Sequence, residues 1–161
     1  MRNVCVSIYE EANALYAASL PVNDIQVQYS LLEQRLHKTD FFQRARQNAV
    51  TVFARSAFLH GLLFMEYDRN PEHLAEARDH LHMFDTICKK YALSRLQTAL
   101  LFSYANKHID YVVFVVDTID QLIQDINVVE HPPERDACIR EPRHAFSFVK
   151  NSISPPSSWK K

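Results

Sequence analysis

The side chains best able to bind a metal or attack an electrophile are eight histidines and three cysteines, and their spacing decides what they can do. The densest group is His73, His80 and His82, ahead of Cys88. On a helix, residues 73 and 80 share a face while 82 points elsewhere. No H-E-x-x-H or C-x-x-C is present, so the pattern is that of solvated surface histidines rather than of a ligand set. Cys5, Cys88 and Cys138 lack the Cys/His/Asp spacing of a nucleophilic site, are odd in number and lie partly within apolar patterns. They read as reduced, packed thiols, which places the chain in the cytoplasm. Glycine-rich phosphate loops are disfavoured because Gly61 is the only glycine, and G-x-G-x-x-G or G-x-x-x-x-G-K-[ST] needs several. The polar residues that remain at the ends of apolar runs are Ser7, Gln26 and the pair Arg55-Ser56. A polar side chain there either satisfies nearby backbone groups or faces a site at the strand's C-terminal end.

Four elements must position those residues. The central one is V-T-V-F-A-R-S-A-F-L-H-G at 50–61, whose β-branched and aromatic first half reads as a strand buried on both faces, closed at its far end by Gly61. Runs of the same character occupy 3–9, 25–30 and 111–116, and segments with helical periodicity separate them. That alternation predicts a parallel sheet with crossover helices. A short helix over 10–19, with Ala12, Leu15, Tyr16 and Ala18 inward, ends at Pro21. Residues 30–38 read as a loop, and Thr39 as the N-cap of a helix over 40–48. Residues 62–70 read as a long loop before Pro71, which opens a helix carrying Leu74, Ala77, Leu81, Phe84, Cys88 and Tyr91 on one face. Ser94 caps a further helix with Leu96, Ala99, Leu100 and Phe102 inward. After the last strand, Thr118 or Asp117 caps a helix whose buried stripe is predicted to be Ile119, Leu122, Ile123 and Ile126. From Glu130 on, prolines at 132, 133, 142, 155 and 156 break the periodicity, so 1–129 reads as the α/β unit and 130–161 as a loosely ordered tail.

The composition suits one soluble domain, and a formal net charge of -1 with scattered basic residues gives no nucleic-acid or anionic-membrane footprint. No run approaches the ~20 apolar residues that span a bilayer. Four strand–helix units are half of what an eight-stranded barrel needs.

Read together, the strands resemble the second half of an aldo-keto reductase, the NADP-dependent oxidoreductase family built on a TIM barrel. V-S-I-Y-E resembles its fifth-strand motif, I-Q-V-Q-Y-S-L-L-E-Q-R-L the sixth, V-T-V-F-A-R-S-A-F-L-H-G-L-L the seventh and Y-V-V-F-V-V-D-T-I-D-Q-L the eighth. The bacterial "predicted oxidoreductase" branch, whose seventh strand ends in a similar R-S-x-F-L-x-G, is the nearest in pattern. The resemblance covers roughly residues 2 to 127 and implies a (βα)4 half barrel. It implies NADP as cofactor, with Ser7 and Gln26 at the nicotinamide carboxamide and Arg55 at the nicotinamide ring. It implies Ser56, Phe58 and Gly61 along the pyrophosphate, and Thr118, Gln121, Gln124 and Asp125 at the adenosine end. Phe64, Met65 and Tyr67 are the implied substrate wall for a small carbonyl compound. Three positions depart from the pattern. Ile8 replaces an asparagine, Val115 a glycine or phosphate-binding lysine, and Gln121 an arginine that often pairs the ribose 2'-phosphate. Selectivity for NADP over NAD is correspondingly weakened.

In this family the catalytic Asp, Tyr, Lys and His belong to the first four strands, which would precede Met1. Such a half is expected to be inactive alone, and to self-associate or join a missing N-terminal half, because its first and last strands would be open edges. The alternative is a non-catalytic α/β scaffold that has lost cofactor affinity and uses its open face to bind protein.

Overall fold

The computed structural model describes residues 3–68, 72–132, 137–149 and 153. Its centre is a four-stranded, all-parallel sheet in the order β1-β2-β3-β4, formed by Cys5–Ile8, Asp24–Gln28, Thr51–Arg55 and Tyr111–Val113. The helices between them are α1 (Glu11–Ala17), α2 (Phe41–Gln47), α3 (Arg78–Tyr91) and α4 (Arg95–Tyr104), and α5 (Ile119–Glu130) and α6 (Ala137–Ala145) follow β4.

Strand alternation separates two unequal faces. Ile8, Ile25, Val27, Val52 and Ala54 are buried on the helix-covered side with Phe41, Phe84 and Phe102. On the other side one row runs Ser7, Gln26, Phe53, Tyr111 across all four strands, and Phe53 and Tyr111 stack at 4.8 Å. The next row holds Gln28, Arg55 and Val113. No described helix covers this second face: Ser7 and Tyr111 are exposed, and Gln26, Phe53 and Arg55 only half-buried. Gln28 is buried on this face. Parallel sheets ordinarily have both faces covered, and the rest of this face is left open by the described residues.

The helices show where periodicity is a reliable guide and where it fails. On α3, Leu81, Phe84 and Cys88 are buried as the spacing predicts, preceded by a 3-10 turn over Glu72–Ala77 that buries Leu74 and Ala77. Pro71, predicted to open this helix, lies outside the described residues. On α4, Ser94 and Gln97 form a capping box in which each side chain accepts the other's backbone N–H. The N-cap of α2 is Asp40 rather than the predicted Thr39, although the Thr39 hydroxyl accepts the Phe41 N–H at 3.2 Å, and a 3-10 turn over Arg35–Lys38 interrupts the predicted loop before it. On α1 the inward face is Ala14, Ala17 and Ala18, while Tyr16 is 68% exposed. These small side chains pack α1 against β1 and β2. On α5 the predicted stripe faces solvent: Ile119 is 76% exposed and Leu122, Ile123 and Ile126 are also exposed. This helix turns Asp125 and Val128 inward instead, and Val128 meets Leu100 and Leu101 of α4.

The proline-rich end is not irregular throughout. Helix α6 contacts α3 and α4, Phe146 is fully buried in the main core, and Glu141 takes hydrogen bonds from Lys90 and Tyr91. Beneath it, the Tyr29 hydroxyl and His37 Nε2 are in hydrogen-bonding contact at 2.6 Å, Asn106 lies against the same nitrogen, and Tyr29 stacks on Phe102. Burial, with the nearby Arg143 and His108 charges, holds His37 down to about 4. Burial also pushes the Tyr29 phenol up to about 12 against the opposing pull of Arg143. A neutral imidazole accepting from a neutral phenol is the arrangement these environments favour.

Candidate functional site

β3 ends in Arg55, and the chain leaves the sheet through a turn in left-handed backbone: φ is +63° at Ser56, +48° at Leu59, +52° at His60 and +85° at Gly61. Only Gly61 adopts this conformation without a Cβ penalty, so the three others hold local strain of about 1 kcal/mol or more each. The turn is kept by the Leu59 N–H donating to the Ser56 carbonyl, the Gly61 N–H donating to the Phe58 carbonyl, and the burial of Leu59, Leu62 and Leu63. The segment predicted as a loop from Leu62 thus begins inside a 3-10 turn, Leu59–Phe64. From α4, Arg95 reaches across to it. The guanidinium donates to the Met65 carbonyl at 2.6 Å and the Leu63 carbonyl at 3.4 Å, and grips Asp85 of α3 with two bonds of 2.6 Å. That bidentate contact holds the Asp85 carboxyl below the usual carboxylate range.

Between this turn, the C-terminal ends of the strands and α5 lies a groove of about 770 Å³. Gln26, Arg55, Ser56, Phe58, Gly61, Phe64, Gln121, Gln124 and Asp125 all line it, drawn from β2, β3, the strained turn and α5. At one end the Arg55 guanidinium lies 4.1 Å from the Tyr9 ring centroid and donates to the Ile8 carbonyl at 3.2 Å, while its Nε has no partner. Ser7 stands behind the wall. Its hydroxyl donates to Gln26 Oε1 at 3.0 Å, which orients the Gln26 amide so that its NH2 is left to donate. At the other end α5 presents Asp125, 3% exposed. No described side chain donates to this carboxyl, and burial alone holds it above the ordinary carboxylate range.

The remaining predicted residues lie off the groove. Thr118 caps α5, accepting the Gln121 N–H at 3.2 Å, and Gln121 Oε1 in turn accepts the Asp117 N–H at 2.7 Å, so these two side chains organise the helix start. Met65 packs against the main core. Tyr67 sits further out, with its ring edge-on to His82 at 5.4 Å and its carbonyl accepting from Arg78. Ile8 turns its side chain to the helix-covered core. The groove also includes Tyr9 and His60, which sequence reasoning did not single out. For Tyr9 a signal existed, since period-two alternation places it on the same face as Ser7. Among the described residues no group of three or more His, Cys, Asp or Glu is placed to hold a metal ion, and the side chain of His73 is outside the description.

A family model described as the aldo/keto reductase family matches residues 1–138. The chain belongs to the aldo/keto reductase family. An aldo-keto reductase of known structure, AKR11C1 from Bacillus halodurans in its holo form, superposes with a TM-score of 0.63 at 20% identity, over 88% of this chain and 48% of that one. The chain therefore spans about half the length of this relative, and the likeness is one of fold. No curated protein matches. As in the family's barrel, the groove lies at the C-terminal ends of parallel strands, the end of a βα fold where ligands bind. No described helix is long and apolar enough to cross a membrane.

Proposed function

We propose that this chain is the cofactor-side half, strands five to eight, of an NAD(P)-dependent aldo/keto reductase, and that the groove binds a nicotinamide dinucleotide. The observation that carries this reading is the convergence on one groove of Gln26, Arg55, Ser56, Phe58, Gly61, Gln121, Gln124 and Asp125, which lie far apart in sequence. Their chemistry suits the ligand. Gln26, oriented by Ser7, offers donors to a carboxamide carbonyl, Arg55 with Tyr9 offers a flat cationic surface for a ring or phosphate, and Asp125 offers an acceptor for hydroxyls. The unpartnered Arg55 Nε and Asp125 carboxyl support a polar occupant between them. When bound, the cofactor supplies the hydride for reduction of a small carbonyl compound. The residues of this half bind and orient, and Phe64 shields one side of the groove.

In the same reading the proton donor and its partners come from the complementary four strand–helix units, so the half by itself is inactive and works in the cytoplasm as part of a completed barrel. The uncovered sheet face and the exposed α5 stripe support completion by a second copy or by an N-terminal half. They equally favour the second reading, a scaffold whose open face binds protein. Fluorescence titration of the purified chain with NADPH and NADH separates the two: saturable binding supports the reductase half, and its absence supports the scaffold. Oxidation of NADPH with an aldehyde in proportion to protein would refute inactivity of the half alone.

A further inference from the structure

The α5 end of the groove differs in charge from the β3 end. Among the described residues Arg55 is the single lysine or arginine lining the groove, and it lies against Tyr9 and the Ile8 carbonyl. The α5 end contributes Asp117, Gln121, Gln124 and Asp125. Of these Asp125 carries most of the argument, being an almost wholly buried residue that lines the groove and whose carboxyl has no donor from any described side chain. A buried carboxylate is costly unless donors reach it. A vicinal diol brings two hydroxyl donors. A phosphate dianion brings only acceptors and like charge, and no described lysine or arginine lines this end to neutralise it.

We infer that the α5 end of the groove is built for an unphosphorylated ribose, with Asp125 accepting from its hydroxyls, so that this chain takes NAD(H) in preference to NADP(H). The inference rests on the dinucleotide reading given above. The same chemistry separates the two cofactors in Rossmann sites, where an acidic residue meets the free ribose diol and an arginine accommodates the 2'-phosphate.

The test is a pair of titrations of the full chain with NADH and with NADPH, repeated on Asp125→Asn, which keeps the shape and removes the charge. NADH is expected to bind at least about tenfold more tightly than NADPH, the loss of one hydrogen bond to a charged group being of that order. In Asp125→Asn the ratio is expected to fall toward unity, through weaker NADH binding and stronger NADPH binding together. Competition by 5'-AMP against 2',5'-ADP on the unmodified chain gives the same comparison without a variant, and 5'-AMP is expected to be the better competitor. Equal or tighter NADPH binding, or a ratio unmoved by Asp125→Asn, overturns the inference while leaving a dinucleotide site in place. Binding of neither cofactor removes the dinucleotide reading itself, and this inference with it.

Discussion

Replacing Arg95 by methionine should loosen the groove without touching it. The guanidinium joins α4, α3 and the strained turn, through two bonds to Asp85 and two to the backbone carbonyls of Leu63 and Met65. Arg95 and Asp85 side chains are 16% and 21% exposed, so the pair is shielded more than a surface ion pair and less than a core one. Methionine keeps the apolar stem but leaves Asp85 unpaired and two carbonyls without their donor. With hydrogen bonds to charged groups worth about 1.5–3 kcal/mol and acting on shared partners, the loss should be about 2–4 kcal/mol at neutral pH. The sign of the pH dependence follows from Asp85. Contact with Arg95 lowers its folded-state pKa, so the stabilisation is fully present above the unfolded value of about 3.9 and is lost as pH falls through the folded value. Urea unfolding of both proteins across this range should therefore show a gap that is widest near neutrality and narrows in acid. A second readout is the groove, since the released turn carries Gly61 and Phe64, and dinucleotide affinity should weaken severalfold. A stability loss under about 0.5 kcal/mol, or a gap independent of pH, would refute the assignment of Arg95 as the clamp.

Other perturbations probe separate parts of the molecule. The exposed α5 stripe should bind a hydrophobic dye or drive self-association, and Leu122→Glu with Ile123→Glu should abolish both while changing stability by no more than about 0.5 kcal/mol; unfolding of the double variant would show the stripe to be buried. Gly61→Ala meets no atom within 4 Å but must hold φ near +85°, so a loss of about 1 kcal/mol is expected on thermal unfolding, and an unchanged or higher Tm would contradict the strained turn. His37 is held neutral, down to about 4, by burial first and then by the charges of Arg143 and His108. Because the unfolded chain binds that proton more readily, stability should fall as pH drops from about 6.5 toward 4, and His37→Gln should flatten that segment of the curve. Phe102→Ala, removing a fully buried ring stacked on Tyr29, should cost about 3–5 kcal/mol, and a loss below 1 kcal/mol would mean that the core refills the space.

Much of this fold could be read from sequence because its strands and α3 obey simple periods. Strand runs rich in valine and isoleucine, separated by polar turns, gave four parallel strands in chain order, and the groove gathered most of the residues that motif resemblance had assigned to a cofactor. What failed did so for physical reasons. The α5 pattern is truly amphipathic, yet its apolar side has no described neighbour, so periodicity located a stripe and misjudged its burial. The left-handed residues Ser56, Leu59 and His60 carry no composition signal, since only glycine advertises that conformation. Helix α6 was obscured by Pro142 within it, and what holds it in place is the burial of Phe146 and the contacts of Glu141, both long-range. Tyr9 was missed because a lone aromatic after a strand is ordinary until the partner stacked on it, Arg55, is known.

The uncovered sheet face also bears on how long such a chain would survive in a cell. Among the described residues β1 and β4 end the sheet with no further strand beside them, next to exposed Val4, Tyr111 and Val113. Chaperones and proteases select for that combination of open edge and apolar surface, so turnover, more than folding itself, would set the steady-state abundance of the uncovered form. Anything that caps the two edges slows its clearance by mass action. For a chain that a partner covers, the amount found in cells would track the amount of that partner, and a pulse-chase experiment would register assembly as a lengthened half-life before any catalytic assay could.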